Sequence, residues 1–415
     1  MARIVMKFGG TSVANLDRIR HVATLVAQEA SSGHQIAVVV SAMSGQTNRL
    51  VGFVDALSSD SDIGGAIDDE YDTIVSSGEQ VTSGLLAIAL RRLGVSARSW
   101  QGWQIPLQTD GAHASARIKD IETTAFNESL KNGHVGVVAG FQGISPAGRV
   151  STLGRGGSDT SAVALAVALK ADRCDIYTDV DGVYTADPRI VPNAKRLDRI
   201  VFEEMLELAS QGAKVLQTRS VELAMNNNLP IRVLTSFVDA DTPNPGTIVC
   251  AEEETMEKKV VSGVAYSRDE AQISLLRLED KPGIVAHITE VMSKANVIVD
   301  MIVQGSSVRE SKANLVFTVG QSDLKKAKIA LEKNQTQIGF EEILTNGKVS
   351  KISVVGIGMR SHTGVAHTMF EALAKRGINI EVIATSEIKI SVLIDSDQTE
   401  LAVRALHGAF DLENA

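Results

Sequence analysis

Three glycine-bearing stretches carry most of the side chains that could do chemistry: "KFGGTS" at residues 7–12, "GRGGSD" at 154–159 and "TDVDGVYTADPR" at 178–189. In the first, paired glycines let backbone N–H groups approach an anion, and the following helix adds the positive end of its dipole. Lys7 would supply a point charge suited to phosphate. The pattern G-x-x-x-x-G-K-[ST] is absent, so this is not the familiar mononucleotide loop. The second stretch sets Arg155, Gly156, Gly157, Ser158 and Asp159 against the apolar run "SAVALAVALKA". N-capping would account for Ser158 and Asp159 but gives Arg155 and the consecutive glycines no role. The third resembles a calcium loop only superficially. Gly182 comes too early in it, and the twelfth position from Asp179 is Ile190, where a bidentate Glu is required. Lys214, in "SQGAKVL", is one more cation. Loops that combine Lys, Arg, Asp and glycine suit phosphoryl transfer to an anionic acceptor, where cations must cancel the repulsion between two negative reactants. A carboxylate nucleophile is already ionised at neutral pH and requires no general base. The eight histidines are scattered and form no Ser/His/Asp or Cys/His pattern.

Loops of this kind need a scaffold that presents several strand ends together. Up to about residue 249, β-branched runs ("RIVMKFGG", "QIAVVVSAM", "HVGVVAGFQG", "DRCDIYTDVDG", "LPIRVLTSF") alternate with helical stretches at about 16–31, 77–93, 161–171, 202–212 and 218–227. Strands apolar on both faces predict a mostly parallel sheet covered by helices, an α/β sandwich that binds ligands at its strand ends. The helix after "GRGGSD" is apolar nearly all round, which predicts burial. The segment "DADTPNPGTIVCAEEETMEKKVVSG" has linker composition, and the domain boundary is placed near residue 250. Beyond it the chain repeats itself. "GIVAHITEVMSKANVIVDMIVQ" aligns with "GVAHTMFEALAKRGINIEVIAT" without a gap, pairing Gly283 with Gly364, Glu290 with Glu371, Lys294 with Lys375 and Ile302 with Ile383. Each copy reads as a turn, an amphipathic helix and a strand between two further strands. The expected division is 1–249, a linker at 250–262, and repeats at 263–345 and 346–415.

Composition narrows the function. With 415 residues the chain exceeds one ordinary core. Lys and Arg total 41 against 50 Asp and Glu, a net charge of −9, which disfavours nucleic acid and anionic membrane in favour of small molecules and other protein chains. Cys174 and Cys250 are too few for a disulfide framework and lack metal-site spacing. The first residues lack the apolar length of a signal peptide, and the apolar runs fall short of the roughly 20 residues that span a bilayer. A cytoplasmic location is expected.

Taken together, "VMKFGGTSV", "SAMSGQTN", "SSGEQ", "TLGRGGSDTSAVALA", "DVDGVYTADPR", "FEEMLELASQGAKVL" and "DKPGI" resemble the aspartokinases, with seven motifs in the family's order across essentially the whole chain. The resemblance implies an amino-acid-kinase-type αβα sandwich followed by two ferredoxin-like ACT repeats. It implies ATP-dependent phosphorylation of the side-chain carboxylate of L-aspartate, the entry step to lysine, threonine, methionine and diaminopimelate. Carried over by residue, Lys7, Phe8, Gly9 and Gly10 would cradle the transferring phosphoryl group, and Asp159 would orient the lysines without acting as a base. Ser41, Thr178, Asp179, Tyr184, Thr185, Ala186, Asp187, Pro188, Arg189, Lys214 and Val215 would hold ATP, with Mg²⁺ bridging the phosphates through water and nucleotide oxygens. Glu79 would pair with the ammonium of aspartate and Arg155 would grip a carboxylate in bidentate fashion, with Thr47, Gly156, Gly157 and Ser158 completing the pocket. In the repeats, Asp280, Gln304, Asn379, Ile380, Ser386 and Glu387 would take effectors, which the resemblance implies are lysine and threonine. Pairing of the ACT repeats implies a homo-oligomer, and Met256 offers an internal start for a short regulatory subunit. Two other readings stay open at this stage: a non-catalytic amino-acid sensor that kept the fold, and a kinase for glutamate or N-acetylglutamate.

Overall fold

The computed structural model describes residues 1–58, 67–211, 215–252, 260–307 and 312–414. The chain forms two compact units. The first comprises residues 1–183, 196–209 and 214–255, and the second 184–195, 210–213 and 256–415.

The first unit runs β1 (Arg3–Phe8), α1 (Leu16–Ser31), β2 (Gln35–Val40), α2 (Gln46–Ser58), α3 (Asp68–Val75), α4 (Ser77–Arg92), β3 (Ala97–Trp100), β4 (Leu107–Thr109), β5 (Ile118–Ile121) and α5 (Thr124–Lys131). It continues with β6 (Val135–Ala139), β7 (Gln142–Ile144), β8 (Val150–Thr152), α6 (Gly157–Ala168), β9 (Arg173–Thr178), β10 (Arg199–Val201), α7 (Phe202–Ser210), α8 (Thr218–Asn226), β11 (Ile231–Thr235) and β12 (Thr247–Cys250). The main sheet has the order β10-β12-β11-β9-β1-β2-β6-β3. Its six strands from β11 to β3 are parallel; β12 pairs antiparallel to β11, and β10 follows β12. The parallel sheet expected from the sequence is therefore present, with two reversed strands at one edge.

The period-2 alternation of β1 sorts its residues between the two helical layers. Ile4, Met6 and Phe8 pack into a core with Ile19, Val22 and Val26 of α1 and Leu86 and Leu90 of α4. Lys7 faces the other way, toward α6, which packs on β1, β2 and β9. The first helix starts where Asn15 caps it, its Oδ1 accepting the Arg18 N–H at 2.9 Å. A second, four-stranded sheet, β5-β4-β7-β8, carries the chain into the "GRGG" loop. The strand before this loop thus belongs to the small sheet, although the helix after it packs on the large one. That helix begins at Gly157, four residues earlier than the sequence reading, and its residues from Gly157 to Ala166 are all buried.

The second unit contains β13 (Gly263–Glu279), α9 (Ile284–Lys294), β14 (Val299–Ser307), β15 (Lys312–Val319), α10 (Leu324–Lys333), α11 (Gln335–Ile338), β16 (Glu342–Val355), α12 (Val365–Ala374), β17 (Val382–Thr385), β18 (Lys389–Asp395) and α13 (Thr399–Ala409). Its sheet, β14-β15-β13-β16-β18-β17, is antiparallel throughout. The repeat is visible in the backbone, since Gly283 and Gly364 both open their helices with positive φ, at 93° and 110°. The two modules are not strictly consecutive. The later part of β13 pairs with β15 and with residues 342–346, whereas Gly263 to Ser267 pair with Lys351 to Val355 of the second module. Register shifts between Ser267 and Gln272 let one strand pass from one module into the other.

Candidate functional site

The loops after β1, β2, β6, β9 and β11 leave the same end of the parallel sheet, the edge at which α/β sheets bind ligands. At the tip of β1 the Lys7 ammonium lies 2.6 Å from Asp159 Oδ1, and both side chains are nearly buried. Neither Ser158 nor Asp159 caps α6. Both sit within its first turn, where no side-chain cap hydrogen bond forms, and Asp159 instead holds Lys7 near the positive end of the helix. The Gly9 N–H donates to Tyr177 O, tying the loop to β9. A Cβ built on Gly9 would come within 3.3 Å of Lys7 Nζ, and one on Gly10 within 3.0 Å of Ala42 O. The bare backbone leaves room for an anion beside the lysine, and with the Gly9 N–H committed to Tyr177 O the donors that fit a phosphate are the Lys7 ammonium and the Gly10 N–H.

Ser41 follows β2, and its N–H donates to Phe8 O. Next to it the Ala42 N–H donates to Glu79 Oε1 at 3.0 Å. This contact depends on Gly78, because any Cβ there would lie 2.7 Å from the Ala42 methyl and push α4 away. Glu79 is 3% exposed. Burial pushes its carboxyl up to about 7, against the hydrogen bonds from the Ala42 N–H and its own backbone. Its Oε2 is buried with no hydrogen-bond partner among the described residues, a state that costs free energy until a donor arrives. Thr47 stands at the start of α2 and is half-buried.

Arg155 is exposed at the head of the "GRGG" loop, and Ser158 is buried below it. Gly156 adopts φ +69°, and a Cβ there would lie 1.9 Å from Gln217 Cγ, so no other residue fits. Gly157 packs against Phe141 and Leu153.

The third cluster divides between the units. Thr178 and Asp179 end β9 in the first, where the Thr178 hydroxyl donates to Asp179 Oδ1 at 3.1 Å. Tyr184, Thr185, Ala186, Asp187, Pro188 and Arg189 belong to the second. There Ala186 is buried in a core with residues of α12 and α13, and Thr185 Oγ1 lies 3.0 Å from the buried His407 Nε2. Asp187 accepts from Arg189 and from the Tyr266 hydroxyl, which hold its carboxyl below the ordinary carboxylate range, Arg189 most strongly. Lys214 falls outside the described residues, and Val215 is half-buried just beyond them. Of the effector positions, Asp280 follows β13 and Gln304 lies on β14, both exposed. Asn379 and Ile380 precede the short strand β17, and Ser386 and Glu387 follow it.

One residue of this region had no sequence signal. Asp72 is completely buried and accepts the N–H of Ala114 and of Thr152 and the Thr152 hydroxyl, with His113 Nδ1 2.8 Å away. It sits in an acidic helix start that reads as a solvated face, and its partners are 41 to 80 residues away. Among the described residues no helix is long and apolar enough to cross a membrane.

The sequence matches the amino acid kinase family over residues 2–235 and the ACT domain twice, over 277–335 and 352–410. It is 51% identical over 414 residues to the aspartate kinase of Pseudomonas putida, covering 100% of this chain and 98% of that protein. The aspartokinase of Corynebacterium glutamicum is 43% identical over 416 residues, covering 99% and 97%. Among solved structures, E. coli aspartokinase III in complex with aspartate and ADP (R-state) has a TM-score of 0.81 at 27% identity, covering 98% of this chain and 99% of that one. The same enzyme with lysine and aspartate (T-state) has a TM-score of 0.73 at 26% identity, again covering 98% and 99%.

Proposed function

The chain belongs to the aspartate kinases, within the amino acid kinase family and with two ACT domains, and from that premise we propose how its residues perform the transfer. The observation that carries the assignment of roles is Glu79, a buried carboxylate with one oxygen held by Ala42 and the other without a partner among the described residues. An ammonium group answers both its charge and its missing donor. Arg155 grips a carboxylate of aspartate, and Thr47, Gly156, Gly157 and Ser158 complete the pocket. The side-chain carboxylate then attacks the γ-phosphorus, the bond from that phosphorus to the β,γ-bridging oxygen breaks, and ADP leaves with the electron pair. Lys7, with the Gly10 N–H and the space that Gly9 leaves open next to Phe8, cancels the charge that accumulates on the transferring group. Asp159 keeps Lys7 aimed and takes no proton, since the acceptor is already ionised.

We assign ATP contacts to Ser41, Thr178 and Asp179 of the first unit; the resemblance also implies Tyr184, Asp187, Pro188, Arg189, Lys214 and Val215, and it implies Thr185 and Ala186, which are buried in the core of the second unit. Mg²⁺ would lower the repulsion between the phosphates; with Asp159, the carboxylate beside the cradle, committed to Lys7, the ion would be held largely through water and nucleotide oxygens. The complex of E. coli aspartokinase III with aspartate and ADP supports these assignments. Its lysine complex supports inhibition by lysine, and threonine is the second effector we assign. Asp280, Gln304, Asn379, Ile380, Ser386 and Glu387 receive the effectors, which shift the population toward a low-activity state they bind better.

In this reading residues 1–249 form the catalytic domain, 250–262 a linker, and 263–345 and 346–415 the regulatory repeats, with Gly263 to Ser267 crossing into the sheet of the second; the protein is a cytoplasmic homo-oligomer, which an internal start at Met256 would supplement with a short regulatory subunit. The reaction opens the route to lysine, threonine, methionine and diaminopimelate. A coupled aspartate kinase assay titrated with lysine, threonine and both, alongside a solution mass measurement, tests it. Turnover of glutamate or N-acetylglutamate in preference to aspartate would refute the acceptor assignment, and indifference to both amino acids would refute the regulatory one.

A further inference from the structure

The loop that carries Arg155 is short, and the two residues before it are held from several sides. The Thr152 N–H donates to Asp72 Oδ2 at 2.9 Å, and the Thr152 hydroxyl donates to Asp72 Oδ1. Leu153 donates to Phe141 O at 3.0 Å, and its own carbonyl accepts from Arg219 Nη1 at 3.0 Å. The other guanidinium nitrogen of Arg219 donates to Ala116 O at 3.0 Å, and the Ala116 N–H returns to Thr152 O at 2.8 Å. Asp72 also accepts the Ala114 N–H at 3.0 Å. One carboxylate and one guanidinium therefore clamp the strand before the loop to the turn at residues 114–116, Asp72 from α3 and Arg219 from α8.

A completely buried carboxylate is costly to keep and needs donors on both oxygens. A structural sheet edge of three residues does not require one, because backbone pairing alone satisfies such a strand. Helix α3 is tied to the same strand a second time through Arg149, which pairs with Asp69 at 3.2 Å and Glu70 at 2.8 Å. It also lies near the Arg155 charge. The phenol of Tyr71 is raised by burial first and then by Asp72 and Asp55, while Arg155 pulls it back. On the other side, Gln217 of the α8 approach fills the space over Gly156. Elements 80 residues apart in the chain converge on the backbone of a loop whose one charged side chain points outward.

We propose that Asp72 and Arg219 are positioning residues of the acceptor pocket, which fix Thr152 and Leu153 and through them set where Arg155 presents its guanidinium to a substrate carboxylate. The proposal rests on the reading of Arg155 given above. A bidentate contact tolerates little displacement, and a misplacement of about 1 Å remote from the reacting atoms costs up to about 10²-fold in rate.

The test uses the full-length protein and steady-state kinetics with each substrate varied. Asp72→Asn keeps the volume but turns one acceptor into an NH₂ that faces N–H groups, and Arg219→Lys replaces a fork that spans two carbonyls by a single ammonium. Both are expected to raise KM for aspartate about tenfold or more while changing KM for ATP less than about twofold, a split that general loosening of the fold would not give. The same substitutions are then made in Arg155→Ala. If they act through Arg155, each adds little to the aspartate KM already raised there. Should Asp72→Asn fail to fold, Arg219→Lys decides alone. Equal rises in both KM values, or full additivity with Arg155→Ala, would overturn the proposal. An aspartate KM unchanged in Arg155→Ala itself would instead overturn the underlying reading of that arginine.

Discussion

Glu79 makes a quantitative prediction, because its two demands oppose each other. Burial raises its carboxyl from 4.5 to about 7. The folded chain therefore binds a proton that the unfolded chain releases, and this group's contribution to stability is full below pH 4.5 and declines until the pH passes 7. At about 1.4 kcal/mol per pH unit, the ionised carboxylate costs the unliganded protein about 3 kcal/mol at pH 8. Glu79→Gln, which cannot ionise, should recover most of that: its melting temperature should match the parent's near pH 4.5 and exceed it at pH 8. The same substitution removes the charge that pairs with the substrate ammonium. In the parent, a carboxyl titrating near 7 is about one-eleventh ionised at pH 6 and about ten-elevenths at pH 8, so KM for aspartate should fall about tenfold between them. The side-chain carboxyl of aspartate, at about 3.9, is ionised throughout and does not contribute. The assays are thermal unfolding of both proteins from pH 4.5 to 9 and aspartate titrations at saturating ATP. An aspartate KM flat from pH 6 to 8, or a Gln variant less stable than the parent at pH 8, would refute the reasoning.

Lys7→Ala and Asp159→Ala should each nearly abolish turnover while leaving lysine or threonine binding, measured by calorimetry, intact; near-normal rates in either would remove that residue from the transfer step. Gly156→Ala combines a strained φ with a clash against Gln217, so it should lower both the melting temperature and aspartate use, by more than the roughly 1 kcal/mol that positive φ alone costs. Burial lowers the pKa of His407, so stability should fall as the pH drops below about 6.5 and the unfolded chain takes up the proton first. His407→Gln should flatten that acid limb, and an unchanged slope would count against the buried imidazole as its source.

Strands β1, β2, β6, β9 and β11 were legible because each is a run of β-branched and apolar residues buried on both faces, a signal written locally. Helix α1 was legible to the residue, since its apolar stripe and flanking Asn15 and Gly33 all lie within one segment. The small sheet β5-β4-β7-β8 was missed. Its strands are three or four residues long, β5 is half exposed, and the contact that joins its two local pairs, Gln108 with Ile144, links segments far apart in the chain. Asp72 escaped for the same reason, its meaning residing entirely in Thr152 and Ala114. The strand, the paired glycines and the following helix around Lys7 are legible locally, whereas the phosphate role given to them draws its weight from the other motifs of the chain. The division of "TDVDGVYTADPR" between two compact units could not, because nothing in that stretch records what Ala186 and Thr185 pack against.

The strand from Gly263 to Glu279 limits where this chain can be cut. Its first five residues complete the sheet of the second module and its remainder opens the first. A fragment beginning at Met256 would carry every strand that both modules use. One beginning at Ala271, where the first module's own pairing starts, would leave the Lys351 to Val355 segment with a bare edge, a row of unpaired backbone groups prone to join another chain. The two repeats, alike in sequence, are for the same reason one object mechanically: pulling either apart strips a strand from the other, so they should melt together and resist exchange as separate cassettes.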